Sequence, residues 1–560
     1  MDMRTPPQPA LHVQPLPSDG AQTVAQAFAA AARAWPQQPF ACVLPETADI
    51  YGIQPGEWSY AYLQQRIEAL RAQYALAGYG SGHRVGLLLE NRPAFFVHWF
   101  ALNGLGVSVV PINADLRAAE LEYLIGHSEI ALAVALPERH ASLRQAAHAA
   151  GRPLALMADG ELPPVAPFAA PQPEAPLAEA TECALLYTSG TTGRPKGCIL
   201  PNRYFLEAGR WYARIGGLAA LRQGEERMLT PLPLVHMNAM AYSALAMVMT
   251  GGCLILLDRF HPRSWWDSVR ASRATVVHYL GVMPAMLMKA EPSPLDRQHG
   301  VRFGFGAGVE RSLHQPFESR FGFPLLEAWA MTETGAGAVV IAHQEPRQPG
   351  TSCFGREAPE VEVRLVADHG GEAATDEPGE LWVRHRGADP RWGFFAGYLK
   401  DPEATDDAWA QGWFHTGDIV SRDAQGQLHF IDRRKNVIRR SGENISAVEV
   451  ESVLLQHPRV KAAAVAAVPD TVRGDEVLAC IVADAPVSAE ADRQALAHEL
   501  VRHCLQRLAY YKAPGWVGFV DALPLTASQK VQRGELRQLA LALRDHPDCV
   551  DTNALKKRQA

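Results

Sequence analysis

The sequence predicts an α/β protein: a large N-terminal region in which sheets pack between helices, then a small α+β module. Three observations carry this. Two stretches, Phe95 to Ile112 and Met228 to Leu257, share one design, a helix-length apolar run, a glycine break and a strand-length run. Short buried-strand runs at Val85 to Leu89, Leu132 to Leu136 and Cys183 to Tyr187 alternate with helical patterns. Near residue 380 the character changes, with strands at Glu380 to Val383 and Leu428 to Ile431 separated by Gly and Asp turns, and after Arg433 the elements shorten.

In chain order, the first paired unit is a helix over the apolar run from Phe95, a turn at Gly104 and Gly106, and the strand Val107 to Ile112. The segment Glu161 to Ala180 holds six prolines, which cannot join a ladder, so it reads as an extended surface connector. The thirty uncharged residues from Met228 to Leu257 are long enough to span a bilayer. Pro231, Pro233 and Gly251-Gly252 cut them instead into a helix, Ala239 to Thr250, and a strand, Cys253 to Leu257, so stable membrane insertion is not expected. The α+β module runs from about 436 to about 545, and the tail DTNALKKRQA is expected to fray.

Composition narrows the function. A chain of 560 residues exceeds one compact core, and 53 Lys plus Arg against 60 Asp plus Glu argue against binding through nucleic-acid phosphates. The eight cysteines are never closer than fifteen positions, so no paired metal-ligand spacing exists and reduced core thiols are expected. The proline-broken N-terminus has no signal-peptide core, which makes a cytoplasmic protein the default.

The first chemical signal is LLYTSGTTGRPKG, Leu185 to Gly197, a strand running into a loop rich in glycine and threonine. Thr188, Ser189, Gly190, Thr191, Thr192 and Gly193 would offer hydroxyls and approachable backbone N–H groups to a phosphate, and Lys196 adds charge. It is not the Walker A pattern, because Arg194-Pro195-Lys196 follows Gly193 where that motif needs Lys and then Ser or Thr.

TSGTTGRPKG resembles the phosphate-loop signature of the adenylate-forming superfamily of acyl-CoA synthetases, adenylation domains and luciferases. MTET (331–334), PGELWVR (378–384), GYLKDPEAT (397–405), GWFHTGD (412–418), DRRKNVIRRSGENISAVEVE (432–451) and LPLTASQK (523–530) agree in order and spacing. RRSGENIS loosely resembles the crotonobetaine/carnitine-CoA ligase branch. The resemblance implies an AMP-binding region over 1–432, a hinge at 433–435 and a mobile lid over 436–560. It further implies ATP, Mg²⁺ and coenzyme A as cofactors, a small carboxylic acid as partner, and a monomer or homodimer.

It also distributes roles. Lys530 would neutralise the charge that builds when a carboxylate attacks the α-phosphate of ATP. Glu333 would hold the Mg²⁺ of the nucleotide, with Thr332 beside it. Trp329 would stack on adenine, Gly306 and Ala307 would let adenine approach the backbone, Asp418 would accept the ribose hydroxyls, and Arg433 would reach ribose or phosphate. Lys435 would be the hinge, Gly442 would let pantetheine pass, and His236 would line the junction of carboxylate and pantetheine. No aspartate stands at 236 to hold an α-ammonium, and no carrier module follows residue 545, so free coenzyme A is the simplest acceptor. A separate carrier protein as acceptor and a non-catalytic nucleotide-binding protein stay open. Met237, Met240, Gly281, Val282 and Met331 are the expected acyl-pocket lining.

Overall fold

The computed structural model describes residues 15–170, 176–188, 194–309, 311–367, 369–433, 437–487, 489–524, 531 and 533–556. Four sheets organise the described residues. One has seven strands in the order Gly397–Tyr398, Lys196–Pro201, Glu182–Thr188, Ser108–Pro111, Arg84–Leu88, Leu132–Ala135 and Ala155–Met157. A second, with eight, runs Val340–Ile341, Leu325–Trp329, Phe303–Ala307, Val276–Leu280, Arg227–Thr230, Cys253–Leu256, Pro39–Val43 and Gly56–Ser59. Parallel pairing dominates both, so their strands read as continuous apolar runs. The third sheet is antiparallel and joins Cys353–Gly355, Leu428–Arg433, Phe414–Arg422, Gly379–His385 and Val361–Val366.

The two paired units of the sequence land in different sheets. Helix Pro93–Asn103 leads into Ser108–Pro111 of the seven-stranded sheet, and helix Ala244–Thr250 leads into Cys253–Leu256 of the eight-stranded one. Both helices are apolar on every face and buried nearly throughout, as helices between layers must be. Helix Val24–Ala34, started by the Thr23 side chain accepting from Gln26 N–H, packs against both. The stretch from Met228 to Leu257 is thus core, and among the described residues no helix is long and apolar enough to cross a membrane. All eight cysteines are free thiols, seven of them buried.

The fourth sheet holds Glu443–Ser446, Val437–Arg440, Gly474–Ala483, Trp516–Phe519 and Val550–Asp551, with Val460–Asp470 beside Gly474–Ala483. It encloses its own apolar clusters around Ile438, Val465 and Leu500 and around Leu536. The expectation that the tail frays fails for 551–556. Val550–Asp551 adds an antiparallel strand to Trp516–Phe519, and the Lys556 ammonium, fully buried, lies 2.5 Å from Glu476. A buried carboxylate at 476 needs cations, and the tail supplies one beside Arg440, whose Nε is 2.7 Å away.

Candidate active site

A cleft of about 1770 Å³ opens where the four sheets meet. One corner is made by three adjacent strand ends. Thr188 and Lys196 face each other in the ladder between Glu182–Thr188 and Lys196–Pro201, and Tyr398 pairs with Cys198 on the other side. Lys196 Nζ sits 4.6 Å over the Tyr398 ring and 3.9 Å from Asp401. The Tyr398 hydroxyl donates to Glu333 Oε1 at 2.9 Å. Burial, and then the carboxylate itself, hold that phenol protonated. Glu333 is fixed further by its carbonyl, which accepts from Phe395 N–H at 2.9 Å. Cation, hydroxyls and a hard carboxylate therefore share one corner, a set suited to a polyphosphate and its metal. Ser189, Gly190, Thr191, Thr192, Gly193, Lys435 and Lys530 lie outside the described residues.

The adjoining wall is the end of strand Phe303–Ala307. A Cβ on Gly306 would collide with the Tyr279 carbonyl, so only glycine fits where the backbone faces the cleft. The turn that follows is pinned by Glu327, which accepts from Gly308 N–H at 2.9 Å and Val309 N–H at 2.8 Å. Ala307, Met331 and Thr332 also line the cleft. Trp329 and Asp418 are both buried and stand outside the cleft lining. The Trp329 indole N–H donates to Asp418 at 2.9 Å and its ring is buried beside Phe354, so Trp329 and Asp418 hold each other. Tryptophan's N–H gives it a partner that a phenyl ring could not take. The backbone of Arg433 lies opposite Asp418 in the ladder of the third sheet.

The fourth sheet closes the cleft. Gly442, at φ +88°, approaches Leu280 so closely that a Cβ there would collide with it. Next to it, Glu443 Oε2 is 3.4 Å from His236 Nε2. Burial disfavours the imidazolium, but the facing carboxylate overrides it and raises the His236 pKa above its usual value. Burial would likewise raise Glu443, yet His236, and more weakly Lys512 and Tyr511, hold it low. The imidazole is crowded by protein atoms but keeps 43% of its side chain open to water, so the pair is only modestly strong. Deeper in the same interface, Lys512 Nζ bridges Glu120 at 2.7 Å and Glu449 at 2.9 Å, all three side chains buried.

Of the expected acyl lining, Met237, Gly281 and Met331 face the cleft. Met240 does not: it is fully buried behind the wall, on the opposite face of its helical turn. Tyr242, Met283, Phe305 and Val339 line the cleft instead. Tyr398, Glu327, Glu443, Lys512 and Glu120 were not singled out by the sequence. Tyr398 and Glu443 stand inside quoted motifs, GYLKDPEAT and RRSGENIS, where a polar residue among small ones was the available signal.

The AMP-binding enzyme family matches residues 28–399 of this chain, and the AMP-binding enzyme C-terminal domain matches 449–530. The chain belongs to the AMP-binding enzyme family. Among curated members, sulfoacetate–CoA ligase of Cupriavidus necator is 31% identical over 92% of this chain and 97% of its own. Crotonobetaine/carnitine–CoA ligase of Shigella flexneri is 29% identical, over 88% and 97% respectively. Among solved structures, o-succinylbenzoate CoA synthetase of Bacillus subtilis is 25% identical. Bound to a CoA product analogue, it superposes with a TM-score of 0.76 over 91% of this chain and 98% of its own. In its complex with AMP the TM-score is 0.61, over 91% and 97%.

Proposed function

We propose that this AMP-binding enzyme activates a small carboxylic acid with ATP and passes the acyl group to free coenzyme A. In the first step a carboxylate oxygen attacks the α-phosphorus, a P–O bond forms and pyrophosphate leaves. In the second the thiol sulfur attacks the acyl carbonyl, a C–S bond forms, the bond to AMP breaks and the thiol proton is released. The observation that carries the reading is the convergence, in one cleft, of the Thr188–Lys196–Glu333–Tyr398 corner with the His236–Glu443 junction.

The corner would receive the triphosphate. Glu333, a single hard carboxylate, fits an ion whose other ligands are phosphate oxygens and water, and Mg²⁺ so held supplies charge neutralisation. Adenine would lie along Gly306 and Ala307, and ribose would reach Asp418 by sharing or displacing the Trp329 N–H. Residues 433–435 would be the hinge for a lid over 436–560. The described arrangement suits the second step, because the Arg440–Glu443 loop occupies the cleft. The higher TM-score against the CoA-analogue complex than against the AMP complex of the same relative supports that assignment. Free thiols throughout agree with a reducing cytoplasm.

Lys530 would belong to the other lid orientation. Lys530→Ala is expected to slow pyrophosphate release by about 10²-fold or more, the scale of losing a preorganised charge, while sparing thioester formation from a supplied acyl-adenylate. Equal losses in both half-reactions overturn the role, and no pyrophosphate from the wild type with any carboxylic acid overturns the function.

A further inference from the structure

The helix after His236 is irregular. From Asn238 to Ser243 the backbone runs as a π-helix, with Ala244 N–H donating to Ala239 O, before tightening into the α-helix Ala244–Thr250. Such i→i+5 turns persist only where their surroundings fix them, and they gather at functional sites. Here the fixing group is His278, fully buried on strand Val276–Leu280. Its Nδ1 lies 2.7 Å from Asn238 Oδ1 and 2.9 Å from Ser243 Oγ, and its Nε2 lies 3.1 Å from the Tyr212 hydroxyl. The Ser243 hydroxyl donates to the Asn238 carbonyl at 3.2 Å, so its oxygen is left to accept. The network closes with the proton on Nδ1 and with Nε2 accepting from Tyr212. The histidine thus clamps the first and last residues of the π segment.

The clamp decides what faces the cleft. Met237, just before the π segment, and Tyr242 within it both line the cleft while Met240 is buried behind them. Tyr242 is 1% exposed, its ring packed on Trp211 and Phe305 with centroids 5.4 and 5.9 Å away. Its hydroxyl is buried with no hydrogen-bond partner among the described residues. Buried tyrosine hydroxyls ordinarily find one. Tyr242 shares the apolar part of the lining with Met237, Met283, Phe305 and Val339, none of which can pair a charge. Of the cleft's carboxylates, Glu333 is engaged by Tyr398, Glu443 by His236, and Glu120 and Glu449 by Lys512.

Resting on the ligase reading above, we propose that Tyr242 sets specificity: the preferred acids have an uncharged tail carrying one acceptor oxygen, a ketone or ether, that meets its hydroxyl. A quaternary ammonium or sulfonate tail would be buried there without a counter-ion and is refused. This separates the chain from the relatives named for crotonobetaine or carnitine and for sulfoacetate.

The test compares acids of matched shape: levulinate with isocaproate, para-methoxybenzoate with para-ethylbenzoate, and as charged members γ-trimethylammoniobutyrate and sulfoacetate. kcat/KM is read from pyrophosphate release, and acyl-CoA is identified by mass. The oxygenated member of at least one pair is expected to lead by about tenfold, the size of one hydrogen bond, and Tyr242→Phe to bring that pair within about twofold. The charged acids are expected to trail every neutral one. Parity in both pairs, a preference that survives Tyr242→Phe, or a charged acid in the lead overturns the inference and leaves the ligase reading intact. Turnover of none of the acids overturns both. The wild-type series decides the matter even if the variant folds poorly.

Discussion

Two histidines, His236 in the cleft lining and His278 buried behind it, are held in opposite ways. His278 sits within the eight-stranded sheet, on strand Val276–Leu280. Burial pushes its pKa down to about 3, and neutral partners, Asn238, Ser243 and Tyr212, satisfy both ring nitrogens. His236 sits where the fourth sheet meets the cleft, 43% of its side chain is open to water, and a carboxylate from the other side favours its charge. Neutral hydrogen bonds fix the segment around His278, while ion pairs join the fourth sheet to the rest of the cleft. An ionic contact that can be rehydrated is the more easily parted, so the two sides of the cleft differ in how readily they would come apart.

The largest expected effect lies at the lid. Lys512→Met would leave Glu120 and Glu449 facing each other in a buried interface, and losing one partner of a buried ionic group costs about 3–5 kcal/mol. Thioester formation from supplied acyl-adenylate should fall about 10²-fold or more, with adenylation changed far less. Equal loss of both steps would show that the bridge serves the fold of the lid and not its docking.

A smaller effect is expected in the fixed wall. His278→Phe orphans polar groups at both ends of the π segment and should cost about 1–3 kcal/mol of stability. The sign of its pH dependence is the sharper test. A histidine with a depressed folded pKa makes the unfolded chain bind more protons as pH falls below the usual imidazole value, so wild-type stability drops there and the variant's does not. The gap between the two in urea titrations should narrow toward acid. A gap that widened toward acid would mean that His278 is charged in the fold.

The smallest effect runs the other way in pH. The raised His236 pKa means that its pairing with Glu443 is complete below the usual imidazole value and lost as pH rises through the raised one. Glu443, held low, stays ionised across that window. The ratio of wild-type to Glu443→Gln thioester rates should be about 2–5 at neutral pH, as for a solvent-accessible pair, and fall toward one in alkali. A ratio that rose with pH would reverse the assignment.

Much of this site was legible because its chemistry is local. The corner comes from TSGTTGRPKG and MTET, glycine at 306 answers a close approach to the Tyr279 carbonyl, and glycine at 442 answers a left-handed φ. The clamp was not legible. AMAYSALAMVMT, 239–250, reads as one apolar helix, since periodicity cannot distinguish an i→i+5 turn from an α-turn, and the histidine that selects the turn lies forty residues from Asn238, in a strand. The Trp329–Asp418 pair, 89 residues apart, was hidden for the same reason: each residue suits a nucleotide, and only the fold reveals that they suit each other.

The buried tail has a practical reach. Anyone exchanging lids between relatives to change the acyl acceptor would be tempted to cut at residue 530, where the family likeness stops. That splice would discard the ammonium of Lys556 and leave Glu476, which also holds Arg440 at the mouth of the cleft, with one cation instead of two. Lys556 therefore belongs with the Arg440 loop, and an exchange has to carry both.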